Sequence, residues 1–173
     1  MSRPTQRPKL QPGQRWVWDF PRPPALRPVS KRIRIVHAGV TLIDTADRPG
    51  AYEVLETSHP PVYYVPPPLE NQARYFRPNP RSSFCEWKGQ ASYIDILNLP
   101  DGQPNIVAAG WTYPNPVPAF AAISGHLAFY PSKFDACYVD DEQVQAQPGD
   151  FYGGWITSDL VGPFKGSPGT MGW

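Results

Sequence analysis

Apolar and polar residues alternate along Arg32-Ile33-Arg34-Ile35-Val36-His37, which predicts a strand with Ile33, Ile35 and His37 on one face. Ala38-Gly39 predicts a tight turn into Val40-Thr41-Leu42-Ile43-Asp44, and so a hairpin. Period-two patterning recurs in Tyr52 to Thr57, where Tyr52, Val54 and Glu56 share a face. Ser58-His59-Pro60-Pro61 forces an extended bend before a short strand, Val62-Tyr63-Tyr64-Val65, which Pro66-Pro67-Pro68 closes. Leu69 to Pro80 opens as a helical turn that Pro78 and Pro80 end, and its Arg74, Arg77 and Arg81 suggest a solvated loop. From Ser82 a long strand runs to Leu99, with Lys88, Gln90, Ser92, Ile94 and Ile96 on one face. That face passes from a polar mouth to an apolar end, the lining of a ligand pocket. Gly89, Ala91, Tyr93, Asp95 and Leu97 occupy the other face, so alternation alone leaves the inner side open. After the turn Pro100-Asp101-Gly102-Gln103-Pro104, Asn105 to Tyr113 predicts the partner strand. One helix is expected, Pro118 to Phe129, with Phe120, Ile123, Leu127 and Tyr130 at helical spacing. Phe134 to Val139 is the last expected strand.

Composition sharpens this into a β class. The chain of 173 residues holds 24 prolines, 14 glycines and 23 aromatic residues (6 Trp, 9 Tyr, 8 Phe), which interrupt helices and supply bulky core groups. The expected fold is mainly β, a single compact β-barrel or tent-like antiparallel sheet domain with one α-helix and extended N- and C-terminal segments. Residues 1–30 read as a proline-rich basic arm, 31–142 as the core and 143–173 as a glycine- and aromatic-rich tail wrapping it. Net charge is +1, but residues 1–32 carry eight Lys or Arg against one Asp, while residues 101–173 carry two basic against seven acidic groups. This asymmetry favours an arm lying on the acidic side of the core; its sparse, proline-interrupted charges argue against nucleic acid as the partner. Trp16-Val17-Trp18-Asp19-Phe20 is expected to dock, because three aromatics on a free arm would be exposed. No apolar run approaches a membrane span and no signal core is present, so a cytoplasmic protein with reduced Cys85 and Cys137 is expected.

The densest chemistry lies in Cys85-Glu86-Trp87-Lys88-Gly89-Gln90-Ala91-Ser92-Tyr93, where a thiol, a carboxylate, an indole, an ammonium, a hydroxyl and a phenol follow one another. Together with Leu55-Glu56-Thr57, Tyr63-Tyr64-Val65-Pro66, Ala109-Gly110-Trp111-Thr112-Tyr113-Pro114, Pro118 and Ile123-Ser124-Gly125-His126-Leu127-Ala128-Phe129-Tyr130, it resembles the bacterial family catalogued as domain of unknown function 427. The resemblance spans roughly residues 30–142 and implies a small β-barrel or tent-like domain. It carries the working label of a nucleotidyltransferase, with no catalytic residue set to transfer. The carboxylate pair and phosphate-binding loop that nucleotidyl transfer uses have no counterpart in this sequence.

Three functional classes follow. The first is a small-molecule site of unknown ligand lined by Glu56, Tyr63, Tyr64, Cys85, Trp87, Lys88, Ser92, Trp111 and Tyr113, with the rings as an aromatic wall and Lys88, Glu56 and Ser92 as polar contacts. Lysine is seldom buried alone, so Glu56 or Glu86 is the expected partner of Lys88. The second is an enzyme, either a metal-dependent nucleotidyltransferase or a thiol enzyme with Cys85 as nucleophile, His59 as base and Glu56 orienting the ring, although a buried inert cysteine is the commoner outcome. The third is an interaction module in which arm or tail joins copies into a homo-oligomer. No metal site is expected, because two isolated cysteines and three scattered histidines lack ligand spacing, and the residues name no cofactor. His37 and His126 are expected to be structural.

Overall fold

The Ala38-Gly39 turn takes positive φ at both residues (50° and 75°), the geometry that matches the twist of a two-residue hairpin, and joins Ile33–His37 to Val40–Asp44. The structure, a computed structural model, describes residues 2–173. Ala136–Val139 pairs with the outer side of Ile33–His37, and Glu142–Gln143 completes a four-stranded antiparallel sheet. A second four-stranded antiparallel sheet runs in the order Leu127–Phe129, Ile106–Thr112, Gly89–Ile96 and Phe76–Cys85. The third sheet is Ala25–Pro28, Tyr52–Leu55 and Val62–Tyr64, and it joins the second through reciprocal amide bonds between Val65 and Leu127 at 2.9 and 2.8 Å. None of these ladders closes on itself. The chain is mainly β, but the single barrel is not formed, because prolines and turns keep the ladders short and leave each sheet with open edges.

The expected helix over 118–129 is also replaced. Pro118–Ile123 forms two short 3₁₀ turns that meet at a kink at Phe120, whose φ of −113° is not helical, and Phe120 and Ile123 are both buried. Gly125, at a φ of 72°, then turns the chain so that Leu127–Phe129 pairs with Gly110–Thr112 as a strand. The helical turn before Pro78 is present as Glu70–Ala73. Among the described residues no helix is long and apolar enough to cross a membrane.

Packing follows the alternation. Ile33, Ile35, Leu42, Ile43, Tyr63, Ile94, Ile96, Phe129, Cys137 and Trp155 form the main core between the two larger sheets. A second cluster, Val54, Tyr64, Ala91, Trp111, Tyr113, Phe120, Ile123 and Ala128, lies on the opposite face of the second sheet. Arm and tail make the third. Val17, fully buried, packs with Phe20, Leu55 and Leu160, and Arg15–Trp16 runs parallel to Leu160–Val161. The indoles of Trp16 and Trp18 donate to the carbonyls of Gly162 and Pro163 at 3.1 and 2.8 Å, and Trp18 packs edge-on against Trp173. Arg15 of the arm reaches one carboxylate of the core and one of the tail, Glu53 and Asp159, at 3.1 Å each, and Arg32, at the start of the core, pairs with Asp44.

Phe76–Cys85 is an edge strand with a bulge between Pro78 and Ser82. Its neighbour Asp95 accepts hydrogen bonds from Asn79, the Ala108 amide and Arg77, which fixes the bulge and explains why this buried carboxylate is held below the usual range despite its desolvation.

Gly110 has no room for a side chain, since a Cβ would stand 2.3 Å from the Ala128 carbonyl oxygen and 2.7 Å from the Phe129 ring. Gly110→Ala is expected to destabilise the protein by about 2 kcal/mol or more through overpacking, read as a lower urea midpoint at unchanged m-value.

Candidate functional site

The central nine-residue segment is a hairpin tip. Cys85 pairs with Gly89, and Gly89 takes a φ of 110°, so Glu86, Trp87 and Lys88 form the turn instead of continuing one strand from Ser82 to Leu99. Alternation resumes at Gly89, and the face carrying Ala91 and Tyr93 turns toward a cavity while Ile94 and Ile96 enter the main core. The pocket face is therefore the reverse of the one expected from the sequence.

The cavity has a volume of about 550 Å³. Tyr64, Ala91, Trp111 and Tyr113 form its floor over the second core cluster, and the hairpin tip with Cys85, Trp87 and Lys88 forms one wall. A second wall comes from the segment after the third-sheet strand, where the chain passes Glu56, turns at Ser58 (φ 70°) and presents His59. The tail supplies the rest: Gln147, Phe151, Tyr152, Gly153 and Lys165. Phe84 and Phe151 line the cavity yet are largely exposed, which places both rings at its rim.

Trp111 donates its indole N–H to the Tyr64 hydroxyl at 3.1 Å and stacks at a tilt on Tyr130, with ring centroids 4.7 Å apart. Its far edge fills the space beside Gly153, where a Cβ would lie 2.4 Å away. Burial pushes the Tyr64, Tyr113 and Tyr130 hydroxyls well above their ordinary value, so these phenols stay neutral. Glu56 lies 3.4 Å from Arg22. Lys88 has no carboxylate within 4.0 Å among the described residues, neither Glu56 nor Glu86, and sits 5.7 Å from the Phe120 ring centroid.

His59 is held by Gln147, whose amide orientation follows from its partners. Gln147 Oε1 accepts the Gly154 amide at 3.1 Å, so Nε2 is the end that donates to the Lys165 carbonyl at 2.8 Å and to His59 Nδ1 at 3.0 Å. An Nδ1 that accepts leaves the imidazole proton on Nε2. Burial, followed by the positive fields of Lys165, Arg22 and Lys88, lowers the His59 pKa to about 4, so the ring is a neutral donor at physiological pH. The arrangement in which Glu56 orients His59 toward Cys85 is not the one formed: Glu56 faces Arg22 and Gln147 orients the ring.

Of the expected lining residues, Glu56, Tyr64, Cys85, Trp87, Lys88, Trp111 and Tyr113 come together around the cavity, as does His59. Tyr63 and Ser92 do not. Tyr63 points into the main core against Trp155, the necessary consequence of its neighbour Tyr64 pointing outward, and Ser92 lies on the far face of its strand. Tyr93, Tyr130, Gln147, Tyr152 and Lys165 are additions; strand parity was the signal for Tyr93, whereas the tail residues reach the cavity only through long-range contacts. The two cysteines are free, and Cys137, in the main core, is pushed up to about 12 by burial. At the acidic tip, Asp140 accepts the Arg32 amide and Glu142 accepts both the amide and hydroxyl of Ser158. Among the described residues no group of three or more His, Cys, Asp or Glu side chains is placed to hold a metal ion.

A family model described as "Domain of unknown function (DUF427)" matches residues 25–140. The chain belongs to the DUF427 family. No curated protein matches it. The DUF427 match covers the floor, the hairpin tip and His59, and stops before Gln147, Tyr152 and Lys165, so the DUF427 region and the tail each contribute part of the cavity.

Because the folded pKa of His59 lies below its ordinary 6.5, the unfolded chain takes up a proton first on acidification. Stability is fully present above pH 6.5 and falls as pH drops toward 4, by roughly 3 kcal/mol at most. His59→Gln is expected to flatten urea-midpoint profiles across that window. Gln147→Leu, which strips partners from His59, Lys165 and Gly154 together, is expected to cost about 2–3 kcal/mol at pH 7 in the same measurement.

Proposed function

We propose that the protein binds a small organic molecule in the cavity, with a flat apolar body against Trp87, Trp111 and Tyr113. The observation that carries this reading is the cavity itself: about 550 Å³, floored by aromatic rings, with Lys88, Lys165 and His59 among its few polar groups. Ligand sites combine an apolar lining with a small number of placed polar groups in this way. The exposed Phe84 and Phe151 rings at the rim extend the apolar surface toward solvent, where a bound molecule would cover them. Two free thiols fit a reducing cytoplasm as the place of action.

The competing readings have less behind them. Nucleotidyl transfer rests on a working label, and of the cavity's two carboxylates Glu56 faces Arg22 while Glu86 is exposed on the hairpin tip. A thiol enzyme needs a base for Cys85, but Gln147 occupies Nδ1 of His59 and the proton sits on Nε2. Arm and tail bury their aromatic residues on each other, as Trp18 does on Trp173, which supports an internal clasp over an oligomer contact.

The reading is tested by fluorescence titration with N-phenyl-1-naphthylamine, a neutral probe that brightens in apolar sites. One site of about micromolar affinity is expected, together with quenching of the tryptophan emission. Trp87→Ala is expected to weaken the probe about tenfold; because the indole is half-buried against the second core cluster, the thermal midpoint also falls, and the titration is made at a temperature where the variant is folded. Absence of saturable one-to-one binding overturns the reading.

A further inference from the structure

We propose that the Nε2–H of His59 is the recognition donor of the cavity, and that the ligand is an uncharged flat molecule carrying a hydrogen-bond acceptor, a carbonyl oxygen or a ring nitrogen, at its edge. This rests on the cavity being a binding site and names the chemistry of what it binds.

Geometry makes the donor. His59 precedes Pro60, which disfavours helical backbone at the histidine, and its amide closes a turn on the Glu56 carbonyl at 3.0 Å. The tail then fixes the ring from two sides. Gln147 Nε2 donates to Nδ1 at 3.0 Å, and the Tyr152 ring meets the imidazole edge-on with centroids 4.9 Å apart. Gly154 keeps the carboxamide in place, since its N–H holds Gln147 Oε1 and a Cβ there would stand 2.3 Å from the same oxygen. Nε2 of His59 has no partner among the described residues, yet it is not one of the closed-off polar atoms, which are Arg34 Nε, Ser58 Oγ, Thr112 Oγ1 and His126 Nδ1. His59 lines the cavity, so an N–H of fixed tautomer is open there. Three other donors of the lining are already engaged: Trp111 gives its indole hydrogen to Tyr64, Tyr93 its phenol hydrogen to Ser83 at 3.0 Å, and Tyr152 its own to Met171 Sδ at 4.0 Å. A donor held in place before binding loses little freedom when an acceptor arrives.

The charge of the lining supports an uncharged ligand. Its carboxylates are Glu56 and Glu86 and its ammonium groups Lys88 and Lys165, two of each sign. Glu56 lies 3.4 Å from Arg22 and also acts on Lys165, whose Nζ donates to the main-chain oxygen of Trp173 at 3.0 Å. Lys88 shares the hairpin turn with Glu86 and sits 5.7 Å from the Phe120 ring centroid. A lining without net charge, floored by aromatic rings, holds no surplus counter-charge for an ion that leaves water. A neutral acceptor carries no such penalty and meets the imidazole N–H directly. Gln147, Tyr152 and Gly154, which set the ring, lie beyond the matched residues 25–140, so the tail determines how His59 of the DUF427 region is presented.

The test uses three molecules built on one naphthalene body: 2-acetylnaphthalene, which carries a carbonyl; 2-isopropenylnaphthalene, in which a methylene replaces that oxygen; and the anion 2-naphthoate. Each is titrated as a competitor of N-phenyl-1-naphthylamine bound to the full chain. The ketone is expected to bind at least as tightly as the hydrocarbon, although transfer out of water favours the hydrocarbon, and about tenfold tighter than 2-naphthoate. This comparison is made in the wild type and needs no variant to fold. His59→Phe removes the donor and is expected to lower the ketone-to-hydrocarbon affinity ratio about fivefold. His59→Gln places an amide N–H near the Nε2 position and is expected to keep most of the ratio. Both variants lose the bond from Gln147 to Nδ1, so the difference between them reads the donor and not the tail. A hydrocarbon that binds tighter than the ketone in the wild type, an anion that binds tighter than the ketone, or a ratio that His59→Phe leaves unchanged overturns this inference and leaves the cavity reading intact. If N-phenyl-1-naphthylamine itself does not bind with one-to-one stoichiometry, both readings fall.

Discussion

Gln147 is the point on which the cavity depends. Its carboxamide is buried, and each end is engaged: the oxygen by the Gly154 amide, the nitrogen by the Lys165 carbonyl and His59 Nδ1, while its own main-chain amide donates to the Gly154 carbonyl at 3.0 Å. One side chain thus ties both halves of the tail to His59, in the connection between the third-sheet strands Tyr52–Leu55 and Val62–Tyr64. A buried amide left without these partners would be unfavourable by more than any single bond contributes, so the tail is drawn to one position and the imidazole to one tautomer. Trp155, beside it, drives the same segment into the main core, donating its indole N–H to the Phe129 carbonyl at 3.1 Å. Burial holds the tail, and the amide sets its register.

That division explains what the sequence could and could not reveal. The strand at Ile33–His37 was legible because it obeys a period of two within its own few residues, and those at Val40–Asp44, Tyr52–Leu55 and Ile106–Thr112 because turn residues bound short runs rich in apolar side chains. The stretch from Pro118 to Phe129 misled because Phe120, Ile123 and Leu127 satisfy helical spacing, yet the chain kinks at Phe120 between two short 3₁₀ turns and turns again at Gly125. Closure of a sheet into a barrel depends on how strand edges meet far apart in the chain, which no local period encodes.

The candidate site divides along the same line. Trp87, Lys88 and Cys85 were visible because unusual chemistry crowds into one turn, and Trp111 and Tyr113 because alternation puts both aromatic residues on one face of their own strand. Ser92 was assigned to the wrong side by a single step of parity, the characteristic error where a hairpin tip is taken for continuous strand, whereas Tyr63 was taken with Tyr64 although strand neighbours face opposite ways. Gln147 and Lys165 carried no local signal; a glutamine and a lysine in a polar tail look like solvated residues until the fold brings them to His59. The arm was the opposite case, since its three aromatics and excess cations could only be satisfied by docking, and they are matched by one carboxylate each of core and tail and by carbonyls of the tail.

The long edge strand Phe76–Cys85 bears on how the molecule behaves in a crowded solution. An unpaired strand margin of ten residues would ordinarily invite a neighbouring chain to add itself, the first step toward aggregates. Here Pro78 and Pro80 remove two amide hydrogens from the row, the bulge anchored on Asp95 bends it, and Arg77 and Arg81 set like charges along it. A second copy approaching edge to edge would meet missing donors and mutual repulsion, so the same irregularity that keeps this sheet from closing also keeps it from growing.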